Sequence, residues 1–174
     1  MDEIYDVVDK DGNRIREATW TEVHTQGLLH PTVAVLIFKD KSKKEVLIQK
    51  RSEKMKQTPG QWQHSAGGHI LAGDTPDQAI HKEISEELFS SRNLPDFEIK
   101  KILSFLQQDF PNNNEIMHLY EAIYPGPFYH DEKEVAEEPV WKNWDELIKD
   151  MKENSNKYTP SFHCIMKEYT NPKP

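Results

Sequence analysis

Between residues 67 and 87 the chain carries side chains whose spacing suits metal-ion chemistry: Gly67-Gly68, Asp74-Thr75-Pro76, and then Glu83, Glu86 and Glu87. In a helix turning ~100° per residue, the three glutamates fall within one arc of ~100°, so their carboxylates leave one face together. Ile80, Ile84 and Leu88 occupy the neighbouring arc with Glu87 at its border, while His81, Lys82 and Ser85 face away. A solvated acidic patch would lie opposite the apolar stripe, whereas this one lies beside it and borders the core. Three like charges at such spacing repel one another, and a bound cation reverses the sign of that cost. All-oxygen ligation selects a hard ion, magnesium or manganese, over zinc. Magnesium retains several waters, which suits it to bridging phosphate oxygens and to acidifying an attacking water. Gly67 and Gly68, lacking side chains, let backbone approach an ion or a phosphate and are expected to line the same pocket.

The helix that positions these acids is well signalled. Thr75 is an N-cap, Pro76 suits the first helical position, and Gln78 completes a capping box, so the helix is predicted from Pro76 to about Phe89. Upstream, residues 4–8 and 13–17 form a hairpin around the Asp9-Lys10-Asp11-Gly12 turn. Residues 32–38 and 45–49 are β-branched and apolar and read as a second, more buried pair. Residues 52–66 read as loop, punctuated by Pro59-Gly60. Two further strands are predicted at 98–106 and 116–124, joined by a polar loop over 109–114. A last strand at 140–144 leads into a helix capped by Asn143 that buries Leu147, Ile148 and Met151. Phe162, Ile165, Met166 and Tyr169 make a second amphipathic stripe. Strands followed by helices without strict βαβ alternation predict an α/β fold, an α/β/α sandwich with a mixed sheet. The loops at 109–114 and 126–138 are expected to build the pocket walls.

Composition narrows the partners. At 174 residues with 36% hydrophobic side chains, the chain suits one domain, 1–174. A net charge of −8 argues against a nucleic-acid polymer, and a polyanionic small molecule would need a cation between itself and the protein. The longest apolar run, Val33 to Phe38, is far short of the roughly 20 residues of a membrane-spanning helix. Cys164 stands alone, so no internal disulfide is available and a reducing cytoplasm is expected.

Residues 68–90 resemble the signature of Nudix hydrolases: Gly, five residues, Glu, seven residues, Arg-Glu, an aliphatic residue, any residue, Glu-Glu, any residue, Gly and an aliphatic residue. Gly68 starts the box, and Glu83, Ile84, Glu86 and Glu87 match it directly. Asp74 replaces the first Glu, Lys82 the Arg and Phe89 the Gly. The first two keep the charge, and Phe89 implies a different helix ending. Gln49-Lys50-Arg51-Ser52, Pro59-Gly60-Gln61-Trp62 and the stretch from Trp141 to Leu147 are similar to the Nudix branch related to isopentenyl diphosphate isomerase, so that the likeness runs over roughly residues 4–150. The resemblance implies the α/β/α sandwich. It also implies metal held by Glu86, Glu87 and the Gly67 carbonyl, with Glu83 binding metal or orienting water. Lys50 and Arg51 would hold phosphate oxygens beside Gly68, and Trp62 would stack on a base or serve packing. The implied reaction is water attack on phosphorus in a small diphosphate substrate, a nucleoside diphosphate derivative or similar compound, with Mg2+ or Mn2+. A homodimer is open by analogy with such folds.

Two other readings stand beside this one. The isomerase binds metal through histidines and a glutamate, and His24, His30, His69 and the Asn114-Glu115-Ile116 element resemble those features. Its reactive cysteine, however, stands where this chain has Gly67, and Asn113 falls where it has a further acidic ligand. His24 and His30 are therefore expected to be surface or hydrogen-bonded structural groups. His69 and Glu115 are additional candidates, each also readable as a loop residue. Arg51 could equally pair with a nearby acid, and Cys164 reads as a packing residue. The remaining reading is a nucleotide sensor that has lost catalysis, against which the complete glutamate trio speaks.

Overall fold

The computed structural model describes residues 2–55, 57–130 and 137–171. Strands β1 (Ile4–Val8) and β2 (Arg14–Thr19) form the expected antiparallel hairpin. The Asp9 carboxylate closes its turn by accepting from the amides of Asp11 and Asn13, and Gly12 takes φ +83° there. The chain then enters a helix that the apolar pattern did not reveal, α1 (Trp20–Gln26). Seven residues carry too little periodicity to signal a helix, but Thr19 and Glu22 form a capping box and Gly27 ends it in the left-handed conformation.

The centre of the sheet is β3 (His30–Phe38). It runs antiparallel to β4 (Glu45–Lys50) and to β6 (Ala66–His69), and parallel to β8 (Asn113–Ile123). With β5 (Trp62–Gln63), β7 (Ile99–Phe110) and β9 (Val140–Asn143), the order is β5-β4-β3-β8-β7, with β6 also on β3 and β9 on β4. The sheet is thus mixed, as the sequence predicted. Helix α2 (Pro76–Phe89) covers one face, while α3 (Trp144–Glu153) and α4 (Pro160–Thr170), joined through a 3-10 turn at Ser155–Lys157, cover the other. Along β3, Val33, Val35 and Ile37 pack with Ile80, Ile84 and Leu88 of α2. Ala34, Leu36 and Phe38 pack with Leu147, Phe162 and Ile165 on the other side. A strand buried on both faces reads in sequence as the continuous apolar run seen there.

Three boundaries differ from the sequence expectation, and each matters to the site. The stretch expected as loop over 52–66 contains β5 and runs into β6. Strands β7 and β8 extend into the 109–114 segment up to Phe110 and Asn113, because the Asn113 amide donates to Asp109 Oδ1 at 2.6 Å and to Glu115 Oε1 at 2.9 Å across a bulge between Gln107 and Phe110. At the end of α2, Phe89 stays helical and only 2% exposed against Tyr124 and Phe128, and the left-handed turn passes to Ser90 and Ser91, at φ +49° and +59°. Of the expected wall at 126–138, residues 131–136 lie outside the described residues. Among the described residues, no helix is long and apolar enough to cross a membrane.

Candidate metal and active site

Helix α2 packs against β6, so its acidic face opens on a cleft of about 710 Å³ lined by Glu83, Glu86, Glu87, Gly67 and Gly68, and Lys82, expected from the helical repeat to face away, lines it too because its position borders Glu83 and Glu86. Glu87 is 4% exposed, and its Oε2 accepts from Gln49 Nε2 at 2.8 Å and from the Gly67 amide at 3.1 Å. A buried carboxylate needs such donors, and they fix its direction. The two glycines have separate reasons for being glycine. A Cβ at Gly68 would stand 2.7–2.8 Å from the Glu83 carboxyl group, so the bare backbone is what lets Glu83 lie there. A Cβ at Gly67 would stand 2.3 Å from the Val33 carbonyl oxygen and 2.9 Å from the Ala34 Cα, which are backbone atoms of the central strand and cannot swing away. Accordingly, Gly67→Ala is expected to destabilise the fold by about 1–3 kcal/mol, whereas Gly68→Ala displaces Glu83 and loses activity with a smaller stability change. Thermal melts and turnover of the two variants check this, and equal melting temperatures at 67 and wild type would contradict the crowding.

A second constellation adjoins this cleft through His69 and Glu115, which line it. His24 from α1, His30 at the start of β3 and His69 at the end of β6 bring one ligand atom each within 4.8 Å of one another. Strand register explains the meeting: His30 is the partner of Glu115 in the parallel pair, and Thr32, two residues on, is the partner of His69 in the antiparallel pair. His24 Nδ1 lies 2.9 Å from the Trp20 carbonyl, and His30 Nδ1 lies 2.8 Å from the Leu28 carbonyl. Since a carbonyl only accepts, each Nδ1 carries a proton, which leaves Nε2 as the ring atom able to offer a lone pair to a metal. The Nε2 atoms of His24, His30 and His69 are all buried with no hydrogen-bond partner among the described residues. Trp20 stacks on His24 at 4.4 Å between ring centroids.

Glu115 Oε1 completes the group, 3.9 Å from His30 Nε2 and 4.0 Å from His69 Nε2. Burial pushes the imidazole of His30 down to about 4 and that of His69 down to about 3, so both are neutral at ordinary pH. Burial, and then the nearby Asp109 charge, push Glu115 up to about 7. Buried nitrogen lone pairs without partners, beside a carboxylate, fit a divalent ion of the manganese-to-zinc type. His24 and His30 are hydrogen-bonded through Nδ1, within the sequence expectation, and beyond it their remaining nitrogens meet His69. The resemblance to the isomerase named these four residues, but no local pattern joins them: residues 24, 30, 69 and 115 sit on four different elements, one of them the unpredicted α1.

Arg51 lines the cleft, with Nη1 on Gln63 Oε1 at 2.8 Å and Nε on the Gln57 carbonyl at 3.2 Å. Lys50 and Trp62 sit elsewhere. Alternation along β4 turns Lys50 away from Gln49 and Arg51, leaving its Nζ 5.9 Å over the Trp62 ring and 3.2 Å from Glu137. Neither Lys50 nor Trp62 is among the described residues lining the cleft. Sequence reasoning also passed over His64, which lines the cleft at 6% exposure with both ring nitrogens unpartnered among the described residues, and which burial pushes down to about 3.

The NUDIX domain family profile matches residues 28–162, and the chain belongs to that family. It is 30% identical over 171 residues to an isopentenyl-diphosphate Delta-isomerase of Serratia proteamaculans (strain 568), covering 97% of this chain and 92% of that protein. It is 36% identical over 134 residues to Nudix hydrolase 3 of Arabidopsis thaliana, covering 72% of this chain but 17% of that protein. Among solved structures, DR0079 from Deinococcus radiodurans superposes with a TM-score of 0.71 at 18% identity, covering 87% of this chain and 90% of that one, a likeness of fold.

Proposed function

We propose that this chain is a metal-dependent hydrolase that cleaves a diphosphate linkage in a small substrate, a nucleoside diphosphate derivative or a compound like it. The observation that carries this reading is the carboxylate face: Glu83, Glu86 and Glu87 line one cleft with the Gly67-Gly68 backbone. Glu86, Glu87 and the Gly67 carbonyl would hold Mg2+ or Mn2+, and Glu83 would hold it or orient water. When bound, such an ion supplies Lewis acidity and neutralises phosphate charge. Arg51 and Lys82 add fixed positive charge to the cleft, and Arg51 is held in place by its bonds to Gln57 and Gln63. His24, His30, His69 and Glu115 would hold a second ion of the borderline class, which makes His69 and Glu115 parts of the machinery. The reading includes one domain acting in the cytoplasm, without a membrane or nucleic-acid polymer as partner.

A second reading, isomerisation of isopentenyl diphosphate, is favoured by the histidine centre and by the Serratia relative. Residue 67 speaks against it, because the backbone of β3 closes off the space that a thiol side chain would need there. The two separate in one experiment: incubation with Mg2+ or Mn2+ and a panel of nucleoside di- and triphosphates, scored for phosphate or nucleoside monophosphate, beside isopentenyl diphosphate scored for dimethylallyl diphosphate. Metal-dependent release from the panel is the expected result. Isomer formation without hydrolysis would overturn the proposal, and nucleotide binding with neither reaction would leave the sensor reading in its place.

A further inference from the structure

We infer that Asp109 is the second anionic group of the histidine centre, a positioning residue tethered to Glu115 through the side chain of Asn113. This rests on the reading of His24, His30 and His69 as a metal centre. Asn113 Nδ2 donates to Asp109 Oδ1 at 2.6 Å and to Glu115 Oε1 at 2.9 Å, and that same Glu115 oxygen faces the Nε2 atoms of His30 and His69. This amide nitrogen bridges the two carboxylates and holds the second against the first, and Gln107 Nε2 makes a looser second link, 2.8 Å to Glu115 Oε2 and 3.4 Å to Asp109 Oδ2. Asp109 lines the cleft, while Asn113 and Glu115 are 4% and 6% exposed. The wholly buried His30 turns its Nε2, without a hydrogen-bond partner among the described residues, toward Glu115 Oε1 at 3.9 Å.

The physical reason for a second carboxylate is charge balance. Three neutral imidazoles and one carboxylate around a dication leave a net positive charge in a largely dehydrated place, which is unfavourable. A second carboxylate brings the group to neutrality. The bulge between Gln107 and Phe110 delivers it, turning a residue near the strand end toward the cleft rather than to solvent. Asn113 is suited to the bridge because an amide NH2 donates twice where another carboxylate would repel both neighbours.

The test is Co2+ binding to the full chain stripped with chelator, followed by the visible absorption of the bound ion. Asp109→Asn keeps the size of the side chain and an oxygen for the Asn113 bond, and removes only the charge. It is expected to weaken Co2+ binding about ten- to hundredfold and to shift the absorption bands. Asn113→Ala keeps both charges and removes the shorter of two amide links, that of Gln107 Nε2 remaining at 2.8 Å to Glu115 Oε2 and 3.4 Å to Asp109 Oδ2, and is expected to weaken binding in the same sense, with Asp109→Asn adding less on top of it than it costs alone. Wild-type affinity and spectrum in Asp109→Asn would overturn the inference, and so would full additivity of the two substitutions. His30→Ala separates the underlying reading: unchanged Co2+ binding there removes the histidine centre itself, whatever Asp109 does.

Discussion

Glu87→Gln is expected to lower kcat/KM for the best nucleotide of the panel by about 10²–10³-fold, on the order of 2.7–4 kcal/mol of transition-state stabilisation, while the protein stays folded. Glu87 Oε2 accepts from the Gln49 amide and the Gly67 backbone N–H. Glutamine can place its carbonyl oxygen there and keep both bonds, now neutral and weaker, at a stability loss of about 1 kcal/mol. What it cannot keep is the charge. Glu86→Gln is expected to lose activity comparably with a smaller stability change, since Glu86 is only partly buried. Steady-state kinetics with Mg2+ and thermal melts of both variants provide the measurement. Unchanged turnover in both would remove the glutamates from the chemistry, and joint loss of activity and fold would mean that they serve structure.

His30→Ala carries the other large effect, on metal-linked stability. His30 is wholly buried, with its ring stacked on His69 at 5.1 Å between centroids. An ion that binds only the folded chain stabilises it by about 2.7 kcal/mol at a hundred times its dissociation constant. For a chain of this size each kcal/mol moves the melting temperature by about 2–4 °C, so saturating Zn2+, which prefers the imidazole nitrogens to the all-oxygen glutamate site, should raise the wild-type melt by about 5–10 °C. His30→Ala should respond little and should retain less metal by elemental analysis. The apo variant also loses a buried ring, so the comparison that counts is the metal-induced shift within each protein. An equal shift in both would show that the ion binds elsewhere.

The parts of the site legible in the chain itself are those set by local geometry. Thr75, Pro76 and Gln78 start α2 where they predict, the helix runs to Phe89, and its 3.6-residue repeat alone puts Glu83, Glu86 and Glu87 on one side. Gly68 was readable as an approach point, and Glu83 lies against it. Alternation on β4 could have warned that Lys50 and Arg51 cannot both face the cleft, since neighbouring side chains on a strand point to opposite faces. The histidine centre had no such local trace. It exists because β8 lies parallel to β3 on one side and β6 antiparallel on the other, which brings His30, His69 and Glu115 to one end of the sheet, while α1 carries His24 over them. Pairing register between distant strands is set by burial of both faces of β3, a property of the whole core, and no short-range pattern encodes which residues it will place side by side.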